Sequence, residues 1–421
     1  MFTFLFKKNN AYSVYLLMSA ANALLFTIIF TVNIIYHVTT VGLNPLQLVL
    51  VGTLLEGTVF AFEIPTGIVA DIYSRRLSII IGVFLTGLAF IVEGSTPTFA
   101  AVLIAQVMWG IGYTFTSGAT QAWIADEVGD ERAGNAFIRG AQIGMIAGLV
   151  GIPISVALGS IHIQLPIVLG GMMFLVLAIL LTLTMPEDGY TPTPPAERES
   201  WRTMVRTFHQ GKRLIRGQTI LLIFMGISLI YGLSGEGFDR LWTAHIIENF
   251  TFPAFIDLEI VVWFGVISAA STLLALPATE FVRRRLKNNP QGGMANILLV
   301  ANALMVLSIW IFAMACSFAL ALVAYLSVRV LRSLSEPVFT AWINPHINSD
   351  VRATVYSMAA QADAIGQFTG GPGVGYIGNV WSLRAALLAG GILLAPVLLL
   401  FGYAARKESN ITISTEAAST K

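Results

Sequence analysis

Charge is scarce in this 421-residue chain, where 11% of residues are Asp, Glu, Lys or Arg, against about 25% in an ordinary soluble domain. The net charge of +1 offers nothing to a polyanion, so nucleic acid is not an expected partner. Cys316 is the only cysteine, which excludes an intramolecular disulfide and any cysteine-based metal site. No His-Glu-x-x-His, Gly-x-Ser-x-Gly or Asp-rich metal motif occurs, and the histidines (His37, His162, His209, His245, His346) are scattered. A Gly-x-x-x-x-Gly-Lys-Ser/Thr loop is missing too. Covalent catalysis, a resident metal, a cofactor and nucleotide drive therefore all lack a motif, and an enzyme is not the expected reading.

What the chain has instead is apolar length. Hydrophobic residues make up 56% of it, in runs such as Leu16 to Ile35, Leu77 to Val92, Ile163 to Thr184 and Ala385 to Ala405. A helix needs about 20 apolar residues to cross roughly 30 Å of hydrocarbon. A soluble bundle would need a charged outward face on every helix, and these runs carry none. Lys7 and Lys8 precede an apolar run too long for a signal-peptide core, with no small-residue cleavage site after it. The first helix is therefore expected to be retained.

Turn residues, prolines and charges divide the sequence into twelve expected spans. They are 12–36, 46–70, 77–95, 98–124, 134–158 and 163–185, then 218–246, 258–282, 294–314, 317–343, 353–378 and 382–404. With the N-terminus inside, the cytoplasmic segments would be 1–11, 71–76, 125–133, 186–217, 283–293, 344–352 and 405–421. Those segments hold 19 of the 24 Lys and Arg, and the short outer loops none except Arg384. The positive-inside rule then places both termini in the cytoplasm of a plasma (inner) membrane protein. The expected organisation is an N-terminal six-helix bundle (1–185), a cytoplasmic linker (186–217), a C-terminal six-helix bundle (218–404) and a cytoplasmic tail (405–421). Trp201 to Ile215 in the linker can form an amphipathic helix on the anionic inner leaflet, or stay a solvated connection.

An internal repeat supports that division. Ala122-Trp123-Ile124, followed by Glu131-Arg132-Ala133, matches Ala341-Trp342-Ile343, followed by Asp350-Val351-Arg352-Ala353, at an offset of 219 to 220 residues. Parallel duplication of a six-helix unit is the plan of one large transporter fold.

The loop between helices 2 and 3 reads Gly67-Ile-Val-Ala-Asp71-Ile-Tyr-Ser-Arg75-Arg76. It resembles the Gly-x-x-x-Asp-x-x-x-Arg-Arg/Lys signature of the major facilitator superfamily, in the position where that family carries it. The stretch from Glu63-Ile-Pro-Thr-Gly67 to Arg76 looks most like the drug-efflux members, including macrolide and tetracycline exporters. The resemblance implies an all-α membrane fold of two six-helix bundles related by a pseudo-two-fold axis. It also implies a gate in which Gly67, Asp71, Arg75 and Arg76 are joined by Asp126 and Arg139. The blander account of Arg75 and Arg76 is that they only set topology. Glu280-Phe-Val-Arg283-Arg284-Arg285 is a degenerate second copy of the loop. Two departures stand out. The family's drug–proton antiporters usually carry an Arg in helix 4 where this chain has Gln106, in Gln106-Val-Met-Trp-Gly110. Helix 5 keeps a ridge of Gly140, Gly144, Gly148, Gly151, Pro153 and Gly159 without an adjacent Gly-Pro, a pair found instead at Gly371-Pro372 in helix 11.

Ionisable groups inside a bilayer cost about 2.5–3.5 kcal/mol or more, so each asks for a partner or a task. Glu56, Glu63, Gly67 and Asp71 share one face of helix 2. Asp363 lies roughly 16 Å into helix 11 at 1.5 Å per residue. The family's architecture sets helix 2 beside helix 11, which would make Glu63 and Asp363 neighbours. Desolvation favours the protonated form of a carboxylate, so Glu63, Asp363 and Glu56 are the expected proton-coupling residues. Fixing of helix packing by hydrogen bonds is the alternative. In helix 10, Arg332 and Glu336 can pair at i,i+4, leaving Arg329 to bind substrate or answer Asp363. Glu236, Asp239 and Arg240 in helix 7 form either an outer gate or an interfacial ion pair. Glu93 and Glu259, near outer helix ends, are expected to be interfacial. Phe26, Phe30, Asn33, Trp109, Tyr113, Tyr231 and Trp263 are expected cavity residues, suited to lipophilic, cationic compounds.

The expected function is alternating-access secondary transport, as a multidrug antiporter exporting hydrophobic drug-like compounds, driven by inward proton movement, and so conferring antibiotic resistance. The expected working unit is a monomer in membrane lipid with a small-molecule substrate. A symporter or facilitator of a small polar metabolite is the alternative, and its cavity would be lined by several polar groups.

Overall fold

A computed structural model describes residues 11–190, 217–253, 258–288, 293–347 and 352–406. Twelve long helices make up nearly all of it. In chain order they are α1 (Ala11–Thr39), α2 (Pro45–Ile72), α3 (Arg75–Ser95), α4 (Phe99–Val128), α5 (Asp130–Ile161) and α6 (Leu165–Thr184). The second set is α7 (Thr219–Asn249), α8 (Ile260–Asn288), α9 (Met294–Met314), α10 (Phe318–Ile343), α11 (Arg352–Val380) and α12 (Leu383–Arg406). No strand occurs among the described residues. The sequence-based spans fall within a few residues of these limits, as expected where apolar length sets a helix and polar turn residues end it. The Trp201–Ile215 segment and most of the linker and tail lie outside the described residues.

Small polar caps start the helices. Ser74 Oγ accepts from Leu77 N at 2.9 Å at the start of α3, and Thr98 Oγ1 accepts from Ala101 N at 3.3 Å at the start of α4. Ser317, 219 residues after Thr98, does the same for Leu320 N at the start of α10. Two glycines with positive φ shape the α4–α5 region: Gly118 (70°) breaks α4 and Gly129 (83°) turns the chain into α5. Few side chains other than glycine tolerate that conformation.

Among the described residues, eleven of the helices have the length and apolar composition to cross a membrane. The exception is α11, which at 29 residues is long enough but carries Gln361, Asp363, Gln367 and Thr369 among its glycines. Large apolar side chains such as Ile146, Ile179, Leu183, Val323 and Leu399 are exposed. In water that much exposed hydrocarbon would aggregate; in lipid it is the expected outer surface. The chain is a multi-pass membrane protein.

The described residues form two compact units. One gathers 11–43, 54–190 and 258–268; the other gathers 44–53, 217–253, 269–288, 293–347 and 352–406. These differ from simple sequence halves: the start of α2 belongs to the second unit and the start of α8 to the first. Helix pairing repeats between them. In the first unit α1 packs on α5 and α6, and α3 on α4 and α6; in the second α7 packs on α11 and α12, and α9 on α10 and α12. Trp123 and Trp342, the centres of the sequence repeat, are both buried in their own units.

Glycine makes the closest of these contacts. A Cβ at Gly140 would lie 2.7 Å from the Tyr15 ring and one at Gly151 2.9 Å from Thr27 Cβ, so the α5 ridge lies directly on α1. In the second unit, Gly232, Gly366 and Gly370 bring α7 and α11 into backbone contact. Close approach through small residues is how helices associate without a hydrophobic driving force.

Candidate functional site

The second unit encloses a cavity of about 330 Å³. Its walls come from Tyr231, Ser234, Gly235, Glu236 and Asp239 on α7, Met305 and Ile309 on α9, and Arg332, Ser335, Glu336 and Phe339 on α10. Asp363 and Gln367 on α11 and Leu394 on α12 complete it. Backbone contact at Gly232 lies against the Asp363 carbonyl and fixes the height of that carboxyl group.

Charges in this cavity are partly paired. Arg332 Nη1 donates to Asp239 Oδ1 at 2.5 Å, and its guanidinium lies 5.3 Å from the Phe238 ring centroid. Arg332 therefore pairs across helices with Asp239 and not with Glu336 on its own helix, the partner that i,i+4 spacing suggests. Arg240 Nε donates to Glu236 Oε1 at 2.8 Å. Gln367 Nε2 donates to Asp363 Oδ2 at 2.7 Å, and Tyr231 Oη donates to Asn302 Oδ1 at 3.0 Å. Ser335 Oγ is buried in the wall with no hydrogen-bond partner among the described residues. Glu236 and Asp239 are each paired with an arginine, while Asp363 and Glu336 line the cavity with no arginine ion pair among the described residues, so the lining carries an excess of negative charge. Arg329 is exposed and is not part of the lining.

At the start of α2, Gly52 lies against the Glu236–Arg240 pair, and Val49 sits 3.1 Å from the Cβ position of Gly371 and 3.0 Å from that of Gly375 on α11. Helix 2 thus does run beside helix 11 over this segment.

The first unit contains a different polar centre. Glu93 on α3 is wholly buried, not interfacial. Its Oε1 receives Asn33 Nδ2 at 2.5 Å and faces His37 Nε2 at 2.7 Å, and its Oε2 receives Gln106 Nε2 at 3.2 Å. Asn33, expected in a cavity wall, is 3% exposed and holds Glu93. Phe26, Phe30 and Trp109 pack with buried Phe90 and Phe174 in an aromatic cluster with ring centroids 4.9–6.2 Å apart. Tyr113 and Glu63 are exposed, and Ser117 Oγ donates to Glu63 Oε1 at 3.0 Å. Glu56 is half-buried, and Trp263 is buried. Glu63 belongs to the first unit and Asp363 to the second.

At the α2–α3 loop, Arg75 forms an ion pair with Asp126, and its guanidinium lies 5.8 Å from the Tyr190 ring centroid. Tyr190 Oη donates to the Asp71 carbonyl at 2.8 Å. Burial, with Glu187 nearby, pushes the Tyr190 hydroxyl above its ordinary pKa, so it stays a donor at neutral pH. Arg76 Nη2 donates to the Thr182 carbonyl at 2.6 Å. Gly67 leaves open space around its Cβ position, and Arg139 is exposed with no ion pair among the described residues. Glu187 was not visible as part of this loop from sequence. Its carboxylate takes Ser74 Oγ at 2.6 Å and Arg76 N at 2.9 Å. Hydrogen bonds to a charged group contribute about 1.5–3 kcal/mol each. Glu187→Ala should therefore loosen the loop by about 2 kcal/mol or more, and limited trypsin digestion after Arg75 and Arg76 should speed up several-fold.

Two units with one helix-pairing scheme, each holding ionisable groups inside its helices, have the plan of a secondary transporter. The chain belongs to the Major Facilitator Superfamily, whose model matches residues 15–371. An uncharacterized MFS-type transporter from Bacillus subtilis (strain 168), YxaM, is 21% identical over 363 residues, covering 84% of this chain and 86% of that protein. The nucleoside transporter NupG has a similar structure, with a TM-score of 0.71 at 15% identity, covering 95% of this chain and 99% of that one. A bacterial homolog of the human lysosomal transporter Spinster, inward-facing and unoccupied, gives 0.73 at 14%, covering 95% and 97%. A POT family transporter bound to a thioalcohol-conjugated peptide gives 0.69 at 11%, covering 94% and 96%. At such identities the solved structures share the fold alone with this chain. The efflux subtype expected from the Glu63–Arg76 stretch has no counterpart among these relatives.

Proposed function

We propose that this transporter is a proton-driven exporter of lipophilic compounds bearing a positive charge, working as a monomer in the plasma membrane with both termini in the cytoplasm. The observation that carries the reading is the cavity of about 330 Å³ in the second unit. Tyr231, Phe339, Met305, Ile309 and Leu394 give it apolar and aromatic wall, while Asp363 and Glu336 offer carboxylates with no arginine ion pair among the described residues. Aromatic faces and carboxylates together attract an organic cation. The helix-2/3 loop supports membership of the exporters, and the proton gradient is the energy source, with no cofactor.

Everted vesicles loaded with an acidic interior test this directly. Adding ethidium, a lipophilic cation, should dissipate the gradient in wild type and not in Asp363→Asn. Wild type that accumulates ethidium without releasing protons would remove antiport. A second reading, symport of a small polar metabolite, draws on Ser234, Ser335 and Gln367 in the same wall. Proton entry that rises with a nucleoside or peptide and is indifferent to ethidium would favour it.

A further inference from the structure

We infer that the buried His37–Glu93 pair of the first unit is the site that carries the driving proton, loaded from the side of the α1–α2 loop. The inference rests on the proton-driven reading above and names where, within it, the proton is held.

Charge accounting leads there. An ionised carboxylate only accepts hydrogen bonds, and Glu93 accepts two from side chains of α1 and α4, Asn33 Nδ2 and Gln106 Nε2, while His37 Nε2 stands 2.7 Å from its Oε1. Glu93 is 0% exposed and His37 is 2% exposed. An anion so placed needs a cation. The other ion pairs given for the described residues, Arg75–Asp126, Arg240–Glu236, Arg284–Glu280 and Arg332–Asp239, use arginine, which stays charged. The cation available to Glu93 among the described residues is His37, a side chain that is charged only when it holds a proton. Among these pairs of the described residues it is the one whose cationic partner is a histidine.

Among the described residues, the side chains given around the pair include no second cation. From α1 the pair meets Asn33 and Tyr36, whose Oη donates to the Glu93 carbonyl at 2.7 Å; from α4 it meets Gln106. Gln164, just before α6, lies beside the Tyr36 hydroxyl, and α6 itself offers Ile167 and Val168 against Gly94. An arginine at position 106 would have supplied a permanent cation; Gln106 leaves the charge balance to His37. With the proton bound, the pair is neutral and α1, α3 and α4 are tied together. Without it, a buried anion stands alone and that packing is destabilised. Protonation thus biases the helix arrangement of the first unit, which is what coupling requires.

The position suits the direction. His37 is two residues from the end of α1 and Glu93 two from the end of α3, about 3 Å along each axis at 1.5 Å per residue. The charge pattern of the loops puts that end outside, where an exporter takes up its proton.

Two measurements test the site, one free of any substrate. Thermal unfolding of detergent-purified protein is followed from about pH 5 to 8 in wild type, His37→Arg and Glu93→Gln. The wild-type midpoint should fall as pH rises, and both variants should give flatter profiles, because one has a permanent cation and the other no anion. Should the arginine variant aggregate, the near-isosteric glutamine variant decides alone. Profiles parallel to wild type overturn the proposal. In proteoliposomes the variants should keep ethidium counterflow near the wild-type rate and lose at least 10-fold in gradient-driven accumulation. Driven accumulation at the wild-type level, or loss of counterflow together with drive in folded protein, also overturns it. A wild type that moves ethidium with no proton gradient effect would fail the exporter reading instead, while the unfolding profiles still judge the pair.

Discussion

Gly232→Val is expected to abolish transport and to destabilise the second unit by about 3 kcal/mol, the upper end of the usual cost of overpacking. A Cβ at Gly232 would run into the Asp363 carbonyl oxygen, with Asp363 C at 2.8 Å and Gln367 N at 2.9 Å. These are backbone atoms in the middle of α11, so no side-chain rotation relieves the clash. On the other face, Gly366 already lies 2.7 Å (as Cβ) from Leu233 N, so α11 has little room to slide. The helices must separate, and Asp363 and Gln367 leave their places in the cavity wall as they do. Gly235→Ala supplies the control one turn on: nothing lies within 4 Å of its Cβ position, and alanine is the better helix former. Its melting temperature in detergent should equal or exceed wild type, while that of Gly232→Val drops by several degrees. Equal behaviour of the two would mean that α7 and α11 do not meet through Gly232.

The helices themselves were legible because the bilayer imposes one rule, an apolar run of sufficient length ended by turn residues. That rule reached even α11, since the position of Gly-rich, polar sequence between two clear spans left it no other place. The repeat at Trp123 and Trp342 was legible for a similar reason, as both residues fill equivalent buried positions. Partners across helices were not. Arg332 has Glu336 at the favourable i,i+4 spacing, yet Asp239 on another helix takes it; sequence spacing sees only one helix at a time. Glu93 looked interfacial because it sits two residues from the end of α3. Its burial depends on α1 and α4 closing over it, which no local pattern encodes. Gln106 is a departure that the sequence itself shows, while its amide donates to Glu93 on another helix, a contact set by tertiary packing. The segment after α6 has the composition of a linker, yet its Glu187 and Tyr190 hydrogen-bond to Arg76 and Asp71 at the α2–α3 loop, 111 to 119 residues away in sequence.

Removing Arg240 alone should harm this protein more than removing Arg240 and Glu236 together. The pair is poorly hydrated, with side chains 18% and 8% exposed, and Arg240 Nε lies 2.8 Å from Glu236 Oε1. Gly52 packs directly on it. Deleting one partner of such a pair costs about 3–5 kcal/mol, mostly because the other charge stays buried without compensation. Arg240→Met leaves the less exposed Glu236 as that charge, beside Asp239 and facing Asp363 across the cavity wall. Glu236→Gln leaves Arg240, which is somewhat more exposed and has Asp239 nearby in sequence, so its penalty should be the smaller one. The double variant carries neither charge and should recover roughly half of the Arg240→Met loss, so that the two single losses together clearly exceed the double one. Unfolding midpoints of the four proteins in detergent give the cycle. Additive losses would show that the pair is solvated, in which case Gly52 is packed against a surface contact and the start of α2 is free to move over it. A coupling of the expected size would instead make the pair and Gly52 one fixed joint between α2 and α7, and Gly52→Ala alone should then reproduce most of the single-variant defect.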